Sequence, residues 1–510
     1  MTTAAFHGDL AFRHLAGARF GKPASLAAAV LLAVFLAAGA AAHAEAGQPP
    51  VAPLSAPPAA SAGEAHVSEG AAAPAPAGPL AKRVIAVMWD GFAPEYLDGR
   101  AKTPTLDRLI AGGAYFPELQ TVYPPITNVA FSSILTGAYP EVTGNLAYWW
   151  NRETNRTYGQ SRAYRGETIV EALQRAGLKS ASVGMWLLEG HGLSRYNPEA
   201  LYLQPEGDFA LRVDHVIALL KGEYGDVPDF VSVYAAELDT LGHNLGPQAP
   251  EIVQALEELD RGLGRIVQAL EELDLLDTTA VVVLGDHGMT GYQHTIRSSL
   301  LQSLVRAGYI VQWLPTDGGS ADEFTEVVGV AIGRSAAMYF KGRNQGRGQP
   351  QRPFTEEEKR EVIKLFRRHP DVERVITREE LDAMGAHPLA GDFFVEAVPP
   401  GSFFASSRAG VQGSHGSLRE VAVPLILYGA GVRQGVAIQG GRTIDIAPTI
   451  AYLLGAPPLR DAQGSVLYGA LAGDGGLASG GGAGARGPEA RGLEREAGHA
   501  SVQAGEVGAL

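Results

Sequence analysis

Three short, almost continuously apolar segments constrain the fold more than any other feature of this chain. They cover residues 83–89, 230–234 and 279–284. Between the last two, residues 250–276 carry apolar side chains at the spacing of one helix face, and Pro250 stands where a helix would begin. Strands without polar alternation are typical of a sheet covered on both faces, and strand–helix–strand order favours parallel pairing. The sequence therefore predicts an α/β fold with a mainly parallel central sheet and helices on both faces.

The composition supports a large folded domain and restricts its chemistry. Of the 510 residues, 46% are hydrophobic and 19% are charged, which provides a large core and excludes a disordered protein. The net charge is −14 and no basic run is present, so duplex nucleic acid is not an expected partner. Because the chain has no cysteine, disulfides, thiolate ligands, cysteine nucleophiles and sulfatases with a modified cysteine are excluded.

Both ends of the chain differ in composition from its middle. Residues 1–44 combine basic residues, an Ala/Leu/Val-rich stretch and a small-residue cleavage site, which predicts an export signal and a periplasmic or secreted protein. An uncleaved membrane anchor is the alternative, because the apolar stretch approaches the length of a spanning helix. After cleavage, no membrane insertion is expected. Residues 45–79 are predicted to form a disordered Ala/Pro-rich linker, and residues 471–510 a disordered Gly/Ala-rich tail.

Residues 80–470 remain for the folded part, which is long enough for a core with an insertion. A helix is predicted after Thr355, since Thr355 and Glu358 have the spacing of a capping box, and a strand is predicted at 392–398. We therefore expect an inserted cap subdomain at about residues 290–400.

Polar residues that suit a metal site follow or flank each apolar segment. They are Asp90 after the first segment, Asp239 and His243 after the second, Asp286 and His287 after the third, and His415 ahead of a further apolar run at 421–428. Loops at the carboxyl ends of parallel strands meet in one crevice, so these side chains are expected to converge. Taken singly, each motif is also compatible with an ordinary turn or a surface histidine. Together they favour divalent ions such as Zn²⁺, because clustered carboxylates repel one another unless cations neutralise them, and two ions fit the number of ligands.

A nucleophile must come from Ser, Thr or a metal-bound water, since cysteine is absent. Residues 123–140 predict a loop that enters a short helix near Thr127 and leaves it at Thr136 and Gly137. A Thr127 hydroxyl would then lie beside backbone N–H groups that favour negative charge. From the local pattern alone, an ordinary helix N-cap is the simpler interpretation of Thr127.

The order of these residues resembles the nucleotide pyrophosphatase/phosphodiesterase family (type I phosphodiesterases) of the alkaline phosphatase superfamily. The resemblance extends from Val84 to about Leu454, and Gly285-Asp-His-Gly-Met289 is among its most specific motifs. It implies an alkaline phosphatase-like fold that holds two divalent metal ions, expected to be Zn²⁺. The ligands that it implies are Asp239, His243 and His415 for one ion, and Asp90, Asp286, His287 and the oxygen of Thr127 for the other.

The same resemblance implies that Thr127 is the covalent nucleophile and not an N-cap. Its alkoxide would attack phosphorus in line, a phosphothreonine would form, and activated water would hydrolyse it. The expected activity is that of a phosphodiesterase or nucleotide pyrophosphatase on a small phosphate ester, possibly a nucleotide.

Departures from the family leave the substrate open. Typical members place an Asn three residues after the nucleophile, where this chain has Ala130, and Asn128 is the candidate replacement donor to a phosphate oxygen. An Asn directly after the nucleophile also resembles phosphonoacetate hydrolases, although the paired lysines of that family have no evident counterpart around residues 182–186. Three tryptophans could either stack on an aromatic leaving group or pack in the core or cap, namely Trp149, Trp150 and Trp186. Of these, Trp186 is predicted to bind substrate.

Two alternative functions remain open. The first is a phosphonate or phosphomonoester hydrolase of the same superfamily. The second is a catalytically impaired binding protein on this scaffold, which the missing donor at Ala130 alone supports. Turnover of a chromogenic phosphodiester distinguishes an enzyme from a binding protein.

Overall fold

The computed structural model describes residues 78–405 and 410–472. The predicted export signal at 1–44, nearly all of the linker at 45–79 and nearly all of the tail at 471–510 lie outside these residues. Across the described ranges, none of the helices combines the length and the apolar character needed to cross a lipid bilayer.

The strands and helices of the described residues are numbered in chain order. The strands are β1 (Arg83–Trp89), β2 (Ala114–Gln120), β3 (Trp149–Asn151), β4 (Arg156–Tyr158), β5 (Ser180–Val183), β6 (Ala200–Leu203), β7 (Phe230–Ala235), β8 (Thr279–Gly285), β9 (Thr290–Tyr292), β10 (His294–Thr295), β11 (Val311–Leu314), β12 (Val327–Ile332), β13 (Ser335–Phe340), β14 (Val372–Thr377), β15 (Phe393–Ala397), β16 (Gly401–Ser402), β17 (Gln412–Ser414), β18 (Ala422–Gly429) and β19 (Val436–Ala437). The helices are α1 (Pro104–Gly112), α2 (Thr127–Thr136), α3 (Pro140–Thr143), α4 (Ile169–Arg175), α5 (Phe209–Leu220), α6 (Glu237–Leu245), α7 (Pro250–Glu272), α8 (Arg297–Arg306), α9 (Glu356–Arg367), α10 (Arg378–Ala383) and α11 (Ile446–Leu453).

An eight-stranded sheet forms the centre of the fold, in the order β19-β2-β18-β8-β1-β7-β5-β6. Five adjacent strands of this sheet are parallel to one another, namely β8, β1, β7, β5 and β6. Strand β18 is antiparallel to both of its neighbours, β8 and β2. Every residue of β1, β7 and β8 is buried, which explains why these segments lack polar alternation. The predicted mainly parallel α/β sheet is confirmed.

Helices cover both faces of this sheet. Alternate residues of β1 enter two different hydrophobic clusters, because successive side chains of a strand point to opposite faces. Ile85 packs in the cluster that contains α5 and α7 residues, and Val84 packs in the cluster that contains residues of α4 and α11. Helix α7 ends at Glu272, earlier than the predicted range of 250–276, because Asp274 adopts a left-handed conformation with φ of 54°.

A second sheet has five strands in the order β11-β12-β13-β15-β14. Its strands lie between residues 311 and 397, inside the range that the sequence predicted for the cap. Helix α9 begins after Thr355, whose side chain and Glu358 form the predicted capping box. The predicted strand at 392–398 is observed as β15. The domain boundaries themselves stay a prediction.

Strand direction brings four loops to one edge of the central sheet. Trp89 at the end of β1 pairs with Ala235 at the end of β7 and with Gly285 at the end of β8, so the three strands end level with one another. Because β18 runs in the opposite direction, its first residue, Ala422, lies toward the same edge. The segment ahead of β18 therefore meets the loops that follow the parallel strands.

Candidate metal centre

His287 is surrounded by the predicted aspartates at this edge of the sheet. Its Nε2 atom lies 3.2 Å from Asp90 Oδ1, 3.4 Å from Asp286 Oδ2 and 3.9 Å from Asp239 Oδ1. These side chains come from the loops after β1 and β8 and from the start of α6. The structure thus brings together residues that are up to about two hundred positions apart, as the strand-end pattern predicted.

A second set of contacts involves Asp239, His243 and His415. The Asp239 Oδ1 atom lies 3.2 Å from His243 Nε2 and 3.7 Å from His415 Nε2, and the two histidine Nε2 atoms are 3.2 Å apart. Asp239 and His243 are four residues apart on α6, so they share one face of the helix. His415 reaches them from the loop that follows β17.

These contacts form two groups of potential metal ligands, each with its ligand atoms within 4.8 Å of one another. One group is Asp239, His243 and His415, and the other is Asp90, Asp239 and His287. The first matches the set that the sequence resemblance implied. The second contains Asp90 and His287 of the implied set together with Asp239, but not Asp286. Asp239 therefore belongs to both groups.

Backbone carbonyl oxygens orient all three histidine rings. The Nδ1 atoms lie 2.9 Å from Gly413 O for His243, 2.9 Å from Gly288 O for His287, and 2.7 Å from Pro125 O for His415. A carbonyl oxygen can only accept a hydrogen bond, so each Nδ1 must carry the proton. Each Nε2 atom then faces the carboxylates, which is the orientation that metal-ligating histidines adopt.

Within residues 78–405 and 410–472, each of the three carboxylates has a buried oxygen that makes no regular hydrogen bond and has a histidine Nε2 atom 3.2–3.4 Å away. These atoms are Asp90 Oδ1, Asp239 Oδ1 and Asp286 Oδ2. The other oxygens of two of the carboxylates are held, since Tyr234 donates its hydroxyl to Asp90 Oδ2 at 2.5 Å and the Gly91 N–H donates to Asp286 Oδ1 at 3.0 Å. Several buried carboxylates close together are costly unless positive charge offsets their repulsion. The donor set therefore fits divalent cations.

The pKa shifts of the site residues also favour bound cations. Burial, together with the charge of neighbouring carboxylates, raises the pKa of Asp90 and of Asp286. Burial opposes the charge on His287, but Asp286 and Asp90 outweigh it and raise the pKa of His287 to about 10. Burial likewise opposes ionisation of Asp239, yet His243 and its neighbours hold the pKa of Asp239 below its usual range. The raised pKa values mean that Asp90, Asp286 and His287 tend to keep their protons, because the site has an excess of negative charge. Bound cations would offset this negative charge.

Thr127 is the first residue of α2, and its hydroxyl lies beside this cluster. Its Oγ1 atom is 3.3 Å from His287 Nε2. Ile126 occupies the N-cap position, so the N-cap interpretation of Thr127 does not hold. The helix ends at Thr136, followed by Gly137 in the left-handed conformation with φ of 69°, as predicted. The first N–H groups of a helix lack intrahelical acceptors, which makes this end favourable for an anion.

Residues 84–418 match the sequence profile of the family described as type I phosphodiesterase / nucleotide pyrophosphatase. The chain belongs to this family. The match covers most of the described residues and includes every side chain of the candidate metal centre.

Relatives in this family align with part of the chain. Venom phosphodiesterase 2 of Crotalus adamanteus is 30% identical over 224 residues, which is 42% of this chain and 28% of that protein. Human ectonucleotide pyrophosphatase/phosphodiesterase family member 7 is 26% identical over 239 residues, 44% of this chain and 51% of that protein. The matches therefore span between about a quarter and a half of the length of these relatives.

Solved structures of the family have the same fold. Human ectonucleotide pyrophosphatase/phosphodiesterase 5 superposes with a TM-score of 0.56 at 18% identity, covering 76% of this chain and 98% of that chain. An inactive form of the murine protein in complex with AMP gives a TM-score of 0.55 at 19% identity, with 74% and 96% coverage. These matches confirm the predicted alkaline phosphatase-like architecture.

Asn128, the candidate replacement for the family's Asn, has both ends of its amide engaged. Its Nδ2 donates to Ser161 O at 3.0 Å, and its Oδ1 accepts from Trp186 Nε1 at 3.2 Å. Trp186 is partly exposed and meets the Tyr234 ring edge-on at a centroid distance of 4.7 Å. Ala130 is fully buried in a hydrophobic cluster.

The other two tryptophans make packing contacts. Trp149 stacks on Tyr158 at a centroid distance of 5.3 Å. Trp150 is buried, meets Tyr339 edge-on and donates its Nε1 to Asn155 Oδ1 at 3.1 Å. These contacts favour the packing interpretation for both residues.

Sequence reasoning missed Tyr234, whose hydroxyl holds Asp90. The residue lies within a strand that was predicted, but a hydrogen bond from one strand to the end of its neighbour depends on register. The only signal in the sequence is a polar aromatic side chain near the end of an otherwise apolar strand. The carbonyl oxygens of Pro125 and Gly413 were missed for a similar reason, because every residue has one.

Proposed function

We propose that this chain is an exported two-zinc hydrolase of phosphate esters, a phosphodiesterase or nucleotide pyrophosphatase that acts through a phosphothreonine at Thr127. One observation carries the proposal. Carboxylate oxygens without hydrogen-bond partners face histidine Nε2 atoms, and the Thr127 hydroxyl lies 3.3 Å from one of these nitrogens. Such an arrangement places a nucleophile directly beside a site suited to cations.

The assignment of ligands follows the two halves of the site. One zinc ion would be held by Asp239, His243 and His415, and the other by Asp90, Asp286, His287 and Thr127. Bound zinc would supply positive charge that lowers the pKa of the Thr127 hydroxyl and offsets the charge of the phosphate oxygens. Asp239 Oδ1 lies within reach of histidines in both sets, which supports a pair of neighbouring ions.

The protein's own groups then define a two-step reaction. Thr127 Oγ1 forms a bond to phosphorus as the bond to the leaving ester oxygen breaks, and the leaving group departs as an alcohol after protonation. The amino end of α2 faces the transferred phosphoryl group, where its N–H groups favour negative charge. With a diester, the phosphothreonine still carries the second ester group, and water then cleaves the bond between Thr127 Oγ1 and phosphorus. This step releases a phosphomonoester and restores the Thr127 hydroxyl.

A nucleotide is the proposed substrate class. The murine structural neighbour was solved with AMP, which supports a nucleoside monophosphate as a group that this fold can hold. Trp186 is partly exposed and is bonded to the residue that follows the nucleophile, so its ring offers an apolar surface for a base. No duplex nucleic acid is proposed as a substrate.

The proposed location is outside the cytoplasm. Similar proteins are named as venom enzymes and ectoenzymes, and residues 1–44 have the composition of an export signal. The proposed catalytic domain spans residues 80–470, with the cap at about 290–400.

A substrate panel tests the proposal. The full mature chain is assayed on matched chromogenic esters, namely a phosphodiester, a phosphomonoester and a phosphonate, after chelator treatment and after zinc is restored. We expect zinc-dependent turnover with the diester fastest. After acid quenching, mass spectrometry should find the Thr127 peptide with a phosphoryl group that keeps the remaining ester of the diester. Preference for the monoester or phosphonate would support the alternative hydrolase, and no turnover of any ester would support a binding protein.

A further inference from the structure

Arg334 and Glu420 form a fully buried ion pair behind the candidate metal centre. Arg334 lies in the turn between β12 and β13 of the five-stranded sheet, and Glu420 lies between His415 and β18. Their Nε and Oε1 atoms are 3.7 Å apart, and both side chains are 0% exposed. Within the described residues, Arg334 Nε has no hydrogen-bond partner.

The backbone of this pair contacts both histidine segments. The Arg334 N–H donates to His415 O at 2.9 Å, and the Gly288 N–H, next to His287, donates to Glu420 O at 2.8 Å. The rings of His287 and His415 stack with centroids 3.6 Å apart and an interplanar angle of 11°. Each member of the ion pair therefore holds the backbone of one of two stacked histidines.

The surrounding contacts leave the pair little freedom. Gly333 has a φ of 86°, and a Cβ atom there would lie 2.3 Å from His415 O, so the hairpin approaches this loop as closely as a glycine allows. The Arg334 guanidinium donates to Ala397 O at 2.7 Å and to Gly401 O. The other oxygen of Glu420 accepts from both the N–H and the hydroxyl of Ser417, at 2.8 and 2.6 Å.

A buried ion pair of this kind is a weak source of stability, because the cost of removing both charges from water can exceed their attraction. The more specific effect of the pair is on position, because it holds the Arg334 turn against the segment that contains Glu420. We infer that Arg334 and Glu420 are positioning residues that join the five-stranded sheet to the His287 and His415 segments and thereby set the spacing of the two histidines. The effect on turnover rests on the proposed function, whereas the effect on the backbone does not.

The test compares two double variants of the full chain. Arg334→Met/Glu420→Leu replaces the pair with apolar side chains, so that no buried charge is left unpaired. The matched control is Arg343→Met/Glu326→Leu, which removes an ion pair with a separation of 2.8 Å at the opposite end of the same hairpin. Strand β12 has 6 residues, which separates the two pairs by roughly 20 Å along the strand.

Four properties are measured for each variant. Two describe the protein without substrate, namely the thermal unfolding midpoint and the hydrogen exchange of the Gly288 and Arg334 amides without metal ions. The other two are the zinc affinity and the kinetic constants kcat and KM on a diester. We expect the Arg334/Glu420 variant to unfold below the wild-type midpoint, because Ala397 O, Gly401 O and Ser417 lose hydrogen-bond partners. Both amides should exchange at least about tenfold faster than in the wild type. Zinc affinity and kcat should fall by about 10- to 100-fold with KM little changed. The control should exchange these amides at the wild-type rate.

Equal exchange at Gly288 and Arg334 in the two double variants would overturn the inference. If the wild type shows no zinc-dependent turnover, the proposed function fails, while the exchange measurement still decides the positioning role. If the double variant does not fold, Arg334→Lys replaces it, because lysine keeps the charge but loses the planar fork. Exchange and kcat at wild-type values in Arg334→Lys would then overturn the inference, and an intermediate loss would support it.

Discussion

The candidate metal centre has two halves that differ in their access to solvent. We define the inner half as Asp90, Asp286 and His287, whose side chains are 3%, 0% and 0% exposed, and the outer half as Asp239, His243 and His415, whose side chains are 19%, 36% and 8% exposed. The inner half follows the ends of two central strands, whereas the outer half is carried by α6 and by the loop after β17.

This difference indicates how the two halves would act. In the inner half, low exposure strengthens the attraction between a cation and its ligands, but it also makes an empty site costly. In the outer half, Asp239 and His243 are partly open to water and substrate, whereas His415 is buried. We therefore expect the inner ion to be held tightly and the outer ion to exchange. Thr127 lies on the inner side, next to His287.

Removal of the proposed nucleophile should have the largest effect. Thr127→Ala is expected to lower kcat on a phosphodiester by at least about a thousandfold, because no other hydroxyl replaces the attacking oxygen. Metal content and the unfolding midpoint should change little, since six other side chains define the site. Thr127→Ser keeps a hydroxyl and should retain partial activity. If Thr127→Ala keeps more than a few per cent of the wild-type rate, water is the nucleophile.

Ligand variants test whether the two halves differ as their burial suggests. Asp286→Ala in the inner half and His243→Ala in the outer half should each lose one metal ion and at least about a hundredfold in kcat. Excess zinc should restore part of the activity of His243→Ala only, because its ligand position is open to solvent. Elemental analysis and zinc titration of activity provide the measurements. Equal rescue of both variants would show that exposure does not separate the halves.

Chelator treatment of the unaltered protein sharpens the same comparison. We expect two phases of metal loss, in which one ion leaves early with most of the activity and the second leaves later with a fall in the unfolding midpoint. The reason is that the outer ligands meet solvent, whereas removal of the inner ion leaves buried carboxylates uncompensated. Time courses of metal content, turnover and thermal unfolding follow the two phases. A single phase in all three would mean that the halves behave as one site.

The smallest effects are expected at the residues after Thr127. Asn128→Ala should lower kcat by about three- to tenfold, because the Asn128 side chain already bonds to Ser161 and Trp186 and acts on substrate through their placement. Turnover of one diester and one monoester provides the measurement. A loss of a hundredfold or more would instead identify Asn128 as a direct donor to the phosphate.

The companion variant is Ala130→Asn, which restores the family's residue. Ala130 is fully buried among apolar side chains, so a new amide there should lower stability by about 1–3 kcal/mol and should not raise turnover. Denaturant unfolding and the same two assays measure both effects. A gain in diester turnover would show that the amide reaches the phosphate despite this burial.

The sequence by itself determined the features that local physics controls. The apolar segment at 83–89 became β1 without a change of bounds, and α2 begins at Thr127 and ends at Thr136 as its loop and glycine signals indicated. Thr355 and Glu358 form their capping box. Hydrophobic period, caps and turn residues act over a few positions, so they can be interpreted without knowing the fold.

Only the tertiary structure decided how distant segments meet. The direction of β18, which brings His415 to the shared edge, and the position of Asp239 between both ligand groups depend on strand order and register. The bond from Tyr234 to Asp90 and the buried pair behind the histidines join residues with no local pattern in common. Such contacts arise because packing of the whole core selects which surfaces face each other, and no short stretch of sequence contains that information.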